Sequence, residues 1–281
     1  MKKAPTKTYR QALNEAINKF KLANIKSARL DGLIILENVL KTNRTNILLN
    51  LNETLSGVQY KLFNKLINQR ANNTPIAQII GRKEFYGRNF IVNKNVLIPR
   101  PESENMIDAF KFLISNVSEL KKINNIKLLD IGTGSGCLGI TLKLEFPNIE
   151  VNLVDNDLKA LSVAKKNDVF YSTRLNIYFS NLLSQVSFDP NIIVANLPYV
   201  PDKYKLNDEA KQEPANAIFG GNDGLDCYRE LFEQIADLQK YPLFLLLESF
   251  PKSHTSLIKA AQNIGYTKFY RQDFCLVLKR S

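Results

Sequence analysis

A glycine-rich turn between a predicted strand and a predicted helix is the first feature of this sequence that could bind a ligand. The run Asp130-Ile131-Gly132-Thr133-Gly134-Ser135-Gly136 follows the apolar strand 127–131 and precedes a helix that continues through Leu144. Glycines at such a turn let the backbone approach a ligand beside a helix N-terminus. Asp155 ends the next predicted strand, where a carboxylate can hold both ribose hydroxyls of a nucleoside cofactor.

Two classes of cofactor are compatible with this turn. The dinucleotide pattern G-x-G-x-x-G requires glycine at position 137, where this chain has Cys137. The form Asp-x-Gly-x-Gly-x-Gly resembles that of S-adenosylmethionine-dependent methyltransferases, whose cofactor has no pyrophosphate. This resemblance implies that S-adenosylmethionine is the cofactor, that Asp155 holds its ribose, and that the turn lines it with Gly132, Thr133, Gly134, Ser135 and Gly136.

A second motif, Asn196-Leu197-Pro198-Tyr199, directly follows the predicted strand 192–195. It resembles the Asn-Pro-Pro-Tyr of methyltransferases that act on planar nitrogen: adenine N6, cytosine N4 or the glutamine amide. Such a nitrogen is a poor nucleophile because its lone pair is delocalised. The resemblance implies that Asn196 Oδ1 and the Leu197 carbonyl accept its two N–H groups, and that Tyr199 stacks on the planar group. Since ligands of open α/β sheets lie at the carboxyl ends of strands, the two motifs should be neighbours.

Segments outside these motifs make the resemblance closer. Residues 75–81, 84–87 and 96–104 resemble the region before the catalytic domain of HemK-type protein-glutamine methyltransferases, as do Glu213-Pro214 and residues 220–225 after the catalytic motif. The Pro99-Arg100-Pro101 segment is the most specific part, because generic methyltransferases lack it. The resemblance covers nearly the whole chain.

The resemblance implies an activity, a partner and further site residues. The activity is transfer of a methyl group from S-adenosylmethionine to the side-chain nitrogen (N5) of the glutamine in the Gly-Gly-Gln motif of class 1 peptide chain release factors. Asn181 and Leu182 would lie near the adenine of the cofactor, and Asn196 would also contact the cofactor. The chain departs from the family at Leu197, which replaces the first proline of the motif and makes the loop less rigid. It also departs at Asn181-Leu182, where Asp-Trp is common.

Three other functions remain open at this point. The first is methylation of adenine N6 in ribosomal RNA or DNA, which the Asn-Leu-Pro-Tyr variant and the basic N-terminal third favour. The order of the elements opposes it, because RNA adenine enzymes of that type place their accessory helices after the methyltransferase domain. The others are an NAD-dependent or other enzyme and a non-catalytic module that binds a partner.

Composition excludes several other chemistries. The chain has 281 residues, one histidine and three widely spaced cysteines, so a Ser-His-Asp triad, a disulfide framework or a His- or Cys-ligated metal site is not expected. No apolar run approaches the ~20 residues of a membrane helix. Residues 1–3 are followed by polar residues rather than a signal-peptide core, so we expect a cytoplasmic protein without membrane contact.

The basic charge is concentrated in the first third of the chain. Residues 1–85 contain 15 Lys/Arg and 5 Asp/Glu, a net charge of +10 out of +11 for the whole chain. This excess indicates a surface that docks an acidic partner, or else a compositional bias toward Lys and Asn. Direct binding of nucleic acid is possible but not favoured.

Hydrophobic periodicity predicts helices in the first 75 residues and a β-hairpin over 76–99. A helix is expected from Glu102, with its apolar face over 107–120, and strands alternate with helices from residue 127 onward. This alternation predicts a Rossmann-like, doubly wound α/β sheet. The predicted division is a helical substrate-docking domain (1–75), a hairpin linker (76–101) and a methyltransferase domain (102–281).

Several charged residues have more than one interpretation. Arg100 and Glu102 either order the cofactor pocket and substrate loop or form a structural ion pair. His254 is expected to be a helix cap or a solvent-exposed residue. Three acidic residues in a loop are interpreted as solvated charges rather than as paired general acids and bases: Asp208, Glu209 and Glu213.

Overall fold

The computed structural model describes residues 7–281, which form two compact units. Among the described residues, the helical unit comprises 7–81 together with Asn207–Gln212, and the α/β unit comprises Arg82–Leu206 and Glu213–Ser281. The prediction about a signal peptide rests on residues that lie partly outside the described part. The separate linker at 76–101 stays a prediction. No helix among residues 7–281 is long and apolar enough to cross a membrane.

The helices of the helical unit bury their apolar side chains in one shared core. This core contains Phe20, Ile35 and Phe63, all fully buried. Thr8 and Ser56 each cap the following helix with a capping box, in which side chain and backbone bond reciprocally. The helices of this unit within the described residues are α1 (Tyr9–Leu22), α2 (Ala28–Leu40), α3 (Arg44–Leu49), α4 (Gly57–Ala71) and α5 (Ile76–Ile80).

A buried ion pair crosses the helical unit. The Arg70 guanidinium donates to Asp31 at 2.7 Å, and both side chains are almost fully buried. Arg70 also pairs with Glu209, in the short returning segment of this unit. Glu209 is therefore an ion-pair partner, and its side chain remains 45% exposed, so it is also in contact with solvent as predicted.

The α/β unit begins with an antiparallel hairpin, β1 (Arg82–Phe85) and β2 (Arg88–Ile91). Helices and strands then alternate as predicted. Their bounds are α6 (Glu104–Asn116), α7 (Ser118–Lys121), β3 (Lys127–Ile131), α8 (Cys137–Glu145), β4 (Glu150–Asp155), α9 (Leu158–Tyr171), β5 (Asn176–Phe179), β6 (Ile192–Ala195), α10 (Asp226–Ala236), β7 (Phe244–Glu248), α11 (His254–Gln262), β8 (Tyr266–Gln272) and β9 (Cys275–Arg280).

Seven of these strands form one sheet in the order β5-β4-β3-β6-β7-β9-β8. Neighbours from β5 to β7 are parallel, and β9 runs antiparallel between β7 and β8. Successive residues of a strand point to opposite faces of the sheet, and each face has its own hydrophobic core. Leu128 packs in one core and Leu129 in the other. The predicted Rossmann-like α/β fold is confirmed. Because the chain fills β3, β4 and β5 before it crosses to β6, the order reverses between β3 and β6, where such sheets bind ligands.

The structure corrects four local predictions. The hairpin expected over 76–99 is shorter, because residues 76–80 form α5 and the two strands lie within 82–91. The single helix expected over 107–120 is interrupted at Val117, whose backbone is extended, so that α6 and α7 are separate. The edge strand β8 was not predicted, because most of its side chains are at least partly exposed and show no clear alternation. His254 is fully buried at the first position of α11, and its ring lies 3.4 Å from the Phe274 carbonyl, so it is neither solvent-exposed nor a cap.

Candidate functional site

Three parallel strands end at the same level of the sheet. Ile131 at the end of β3 is paired with Val154 of β4 on one side and with Ala195 of β6 on the other. The next residues along these three segments are Gly132, Asp155 and Asn196. The register alone therefore brings together the glycine turn, the predicted ribose ligand and the predicted catalytic asparagine.

The buried carboxylate of Asp130 fixes the glycine turn by hydrogen bonds. Asp130 Oδ2 accepts hydrogen bonds from the Thr133 hydroxyl at 2.7 Å and from the Gly139 amide at 3.0 Å. Gly132 has a φ of +67°, which favours glycine, and a Cβ there would lie 2.9 Å from Leu197 Cδ2. Burial raises the pKa of Asp130 to about 7, and the bonds from Thr133 and Gly139 oppose that shift. Asp130 thus fixes the turn without facing the ligand side.

Asp155 connects the turn to the end of β4. Its Oδ2 accepts from the Gly134 amide and its Oδ1 from the Asp157 amide, both at 2.9 Å. A carboxylate has about four lone-pair positions, so two remain for hydroxyl donors of a ligand. Burial raises the pKa of Asp155, and these backbone amides oppose the shift. The carboxylate of Asp155 is therefore held in a defined orientation, as the predicted contact with two neighbouring ribose hydroxyls requires.

Asn196 has a fixed side-chain orientation. Its Nδ2 donates to the Ser103 hydroxyl at 3.0 Å, and Ser103 is a buried residue of the 3₁₀ turn that precedes α6. Because the nitrogen is engaged there, Oδ1 is the acceptor end of the amide for a ligand. Nothing in the sequence motifs pointed to Ser103 in this role, since a serine before a helix is ordinarily a cap.

Tyr199 turns its hydroxyl toward a buried acid. It donates to Glu248 Oε1 at 2.9 Å, and its ring packs edge-on against Phe250 with centroids 5.2 Å apart. Glu248 is the last residue of β7 and is 1% exposed. Burial raises the pKa of Glu248, and the polar groups of Ser103, Tyr199 and Asn196 oppose the shift. The pKa of Tyr199 is raised by burial and by the charge of Glu248.

A cavity lies over these strand ends and contains most of the residues predicted for the site. The members that line it are Gly132, Thr133, Gly134, Ser135, Asp155, Asn181, Leu182, Asn196, Leu197 and Pro198. Gly136 and Tyr199 do not line it. Gly136 is instead the N-cap position of α8, where a Cβ would lie 2.9 Å from Ile140 Cδ1, so it serves close packing.

Asn181 and Leu182 border the cavity after β5. Asn181 donates through Nδ2 to Glu230 at 2.8 Å, and Glu230 is a lining residue that sequence analysis missed. Leu182 has a φ of +53°, an uncommon conformation for leucine, and its carbonyl accepts from the Ser180 hydroxyl at 2.7 Å. The turn therefore presents an apolar side chain to the cavity.

The rim between the hairpin and α6 is held by Glu213. Its Oε1 accepts from Arg100 at 2.6 Å, and its Oε2 accepts from the Ile98 amide at 2.8 Å. Glu213 is 6% exposed, so the prediction of a solvated charge is wrong for it. Arg100 lines the cavity, but it forms its ion pair with Glu213 and not with Glu102 as expected. A role for Arg100 in ordering the cofactor pocket stays a prediction. Glu102 is exposed and does not line the cavity.

The loop after β6 rests on a glycine of a distant segment. Val200 and Phe219 form a β-bridge, and a Cβ at Gly220 would lie 2.2 Å from the Pro198 carbonyl oxygen. Only glycine lets the two backbones approach so closely. This contact gives a structural reason for glycine in the 220–225 segment.

Cys137 lines the cavity at the start of α8 and is largely buried. Burial raises the pKa of its thiol to about 12. The Cys137 side chain is therefore a neutral, small packing group at neutral pH.

Both units match known families. Residues 11–81 match the family described as PrmC N-terminal domain, and residues 103–214 match the one described as Methyltransferase small domain. The chain is 35% identical over 248 residues to a release factor glutamine methyltransferase of Bacillus anthracis, which covers 81% of this chain and 87% of that protein. A protein of the same name from Koribacter versatilis is 33% identical, with 86% of each chain covered. A bifunctional methyltransferase of Rickettsia typhi is 34% identical and covers 92% of this chain, but 53% of that protein is matched.

Solved structures share the fold. The hMettl16 catalytic domain in complex with the MAT2A 3′UTR hairpin 6 superposes with a TM-score of 0.53 and 14% identity, covering 82% of this chain and 84% of that one. A 16S rRNA methyltransferase of T. thermophilus in complex with AdoMet and guanosine gives 0.51 and 15%, covering 71% and 49%. At such identities the likeness shows the fold alone.

Asp130 makes a testable contribution to the pH dependence of stability. Its folded pKa of about 7 lies above the ordinary value of 3.8, so the folded state binds more protons than the unfolded state between these values. We expect the free energy of unfolding to fall as pH rises through this window, and we expect Asp130→Asn to lack that part of the decline. Urea denaturation at pH 5 and pH 8 measures the difference.

Wild type and Asp130→Asn share their other titrating groups, so the comparison isolates Asp130. The exposed Glu119, changed to Gln, provides a control acid outside the cavity. Identical pH dependence in wild type and Asp130→Asn would contradict the expectation.

Proposed function

This chain belongs to the family of release factor glutamine methyltransferases, and we propose that it transfers a methyl group from S-adenosylmethionine to the side-chain amide nitrogen of a glutamine in a class 1 release factor. The observation that carries the proposal is the convergence of Gly132, Asp155 and Asn196 at one level of the sheet. This convergence places the residues proposed to bind the nucleoside beside the asparagine oxygen proposed to accept from the substrate amide.

The residues of the cavity fit S-adenosylmethionine. Asp155 retains acceptor capacity for the ribose hydroxyls. The backbone of the turn 132–135 can approach the cofactor closely, and Leu182 supplies apolar surface for the adenine. When bound, this cofactor supplies an electrophilic sulfonium methyl group, and the overall products are N5-methylglutamine, S-adenosylhomocysteine and a proton.

The chain's own contribution is orientation of the substrate nitrogen. Asn196 Oδ1 and the Leu197 carbonyl each accept one N–H of the glutamine amide, which turns the nitrogen lone pair toward the methyl donor. As positive charge develops on nitrogen, these two fixed dipoles stabilise it without reorganising. Ser103 holds the asparagine amide in place, at a nitrogen–oxygen distance of 3.0 Å. Tyr199 does not line the cavity and its hydroxyl donates to Glu248, so the proposed stacking of its ring on the planar group requires the amide to extend past the cavity lining.

The test of this function is transfer of label to a defined residue. Purified protein is incubated with methyl-labelled S-adenosylmethionine and cell extract, with and without nuclease, and labelled protein is mapped by mass spectrometry. We expect a gain of one methyl on the glutamine of a Gly-Gly-Gln peptide. Label that disappears on nuclease treatment would support adenine methylation instead.

Asp155→Ala is expected to weaken binding of S-adenosylmethionine, because it removes the acceptors for the ribose hydroxyls. Calorimetric titration of the full chain measures the affinity. Asp189→Ala is the matched control, since Asp189 is an exposed aspartate outside the cavity. Unchanged affinity in Asp155→Ala would remove this residue from the ribose role.

Asn196→Ala is expected to lower turnover by on the order of 10²-fold or more, because one of two preorganised acceptors is lost. Binding of S-adenosylmethionine should change much less. Single-turnover kinetics on a release factor, with calorimetry in parallel, separates the two effects. Asn116→Ala, an exposed asparagine at the end of α6, serves as control. Near-wild-type turnover of Asn196→Ala would exclude the mechanism.

We further propose that the basic helical unit docks an acidic face of the release factor in the cytoplasm. Electrostatic docking weakens as salt rises, because exposed charges are screened. Activity at subsaturating release factor should therefore decline between low and moderate salt, while activity at saturating release factor declines less. A flat response at subsaturating substrate would contradict electrostatic docking.

A further inference from the structure

Leu197 places a backbone N–H where a proline would have none. The residue is 4% exposed, so this donor is shielded from water and needs a partner within the protein. It donates to the hydroxyl of Tyr228 at 3.3 Å. The departure from the two-proline motif thus comes with a specific hydrogen bond.

Tyr228 reaches this point from helix α10 and is fully buried. Its hydroxyl donates to the Glu248 carbonyl and lies 3.3 Å from the Ala195 carbonyl. Ala195 and Glu248 are the last residues of β6 and β7. One side-chain oxygen therefore connects the ends of two neighbouring strands to the first peptide of the catalytic loop.

The peptide that carries the Leu197 N–H lies between Asn196 and Leu197. Holding its plane restricts ψ of Asn196 and φ of Leu197. These two angles help to set where the Leu197 carbonyl lies relative to Asn196. They therefore affect the relative placement of the two acceptors assigned above to the substrate amide, Asn196 Oδ1 and the Leu197 carbonyl. A proline at 197 would restrict φ covalently, through its ring.

We propose that Tyr228 is a positioning residue for methyl transfer, whose hydroxyl supplies by a hydrogen bond the backbone restraint that a proline at 197 would supply covalently. The proposal rests on the proposed function, since it concerns the geometry of the same two acceptors. It differs from a packing role because it depends on the N–H of residue 197.

A double-mutant cycle tests this dependence. Wild type, Tyr228→Phe, Leu197→Pro and the combined variant are compared by kcat and KM for methylation of a release factor. Tyr228→Phe in the natural background is expected to lower kcat about tenfold, because the acceptors lose alignment, with KM for S-adenosylmethionine unchanged. In the Leu197→Pro background the same change should cost much less, because no N–H is left to hold.

Tyr266→Phe is the matched control. Tyr266 is also fully buried, and its hydroxyl donates to the Pro242 carbonyl at 2.7 Å, away from the catalytic loop. We expect this variant to lower the thermal midpoint but to leave kcat unchanged. Thermal midpoints of all variants separate loss of fold from loss of alignment.

If Leu197→Pro fails to fold, the N–H is removed by incorporating the α-hydroxy analogue of leucine at position 197, which replaces that amide with an ester. The same cycle is then repeated with Tyr228→Phe. Equal losses of kcat from Tyr228→Phe with and without the N–H, or no loss with it, would overturn the proposal. If the wild type itself places no methyl on glutamine, the proposed function fails instead.

Discussion

The parallel register of β3, β4 and β6 is the constraint on which the site depends. Most residues of these strands are buried, and Ile131 lies beside Val154 and Ala195. A slip of one residue would turn every side chain of a strand to the opposite face, from one core to the other. The two cores therefore specify the register, and the register specifies that three functional loops start side by side.

A second set of interactions fixes the conformations of the loops that begin at these strand ends. In each case a buried side chain forms a hydrogen bond with a loop. Asp130 accepts from the Thr133 hydroxyl of the glycine turn, Glu213 accepts from the Ile98 amide, and Tyr228 accepts from the amide that follows Asn196. The proposed transfer to a weakly nucleophilic amide depends on dipoles that are already in place. The loops that would carry these dipoles are held by such buried groups at the carboxyl ends of the strands.

Local patterns were sufficient to predict the fold and the centre of the cavity. Gly132 and Asn196 each follow a predicted strand and Asp155 ends one, so the rule that ligands bind at strand ends predicts that they lie together. The fold itself followed from alternation of short apolar runs with amphipathic segments. Gly136 shows the limit of the approach, because its place in the motif did not distinguish ligand contact from helix packing.

The supporting residues could not be predicted in the same way. Ser103 lies 93 positions before Asn196, and Glu213 lies 113 positions after Arg100. Their partners depend on tertiary pairing that no local spacing encodes. Edge strand β8 and buried His254 escaped prediction for a related reason: their environments are set by neighbouring elements and not by their own sequence.

The neutral thiol of Cys137 has a consequence for an enzyme that handles an alkylating agent. A sulfonium methyl group is electrophilic, and a thiolate in the same cavity would compete with the intended acceptor. Burial raises the pKa of this thiol to about 12, so the thiol is protonated at neutral pH. A buried, protonated cysteine is a poor acceptor of a methyl group, and it is therefore compatible with a cavity proposed for methyl transfer.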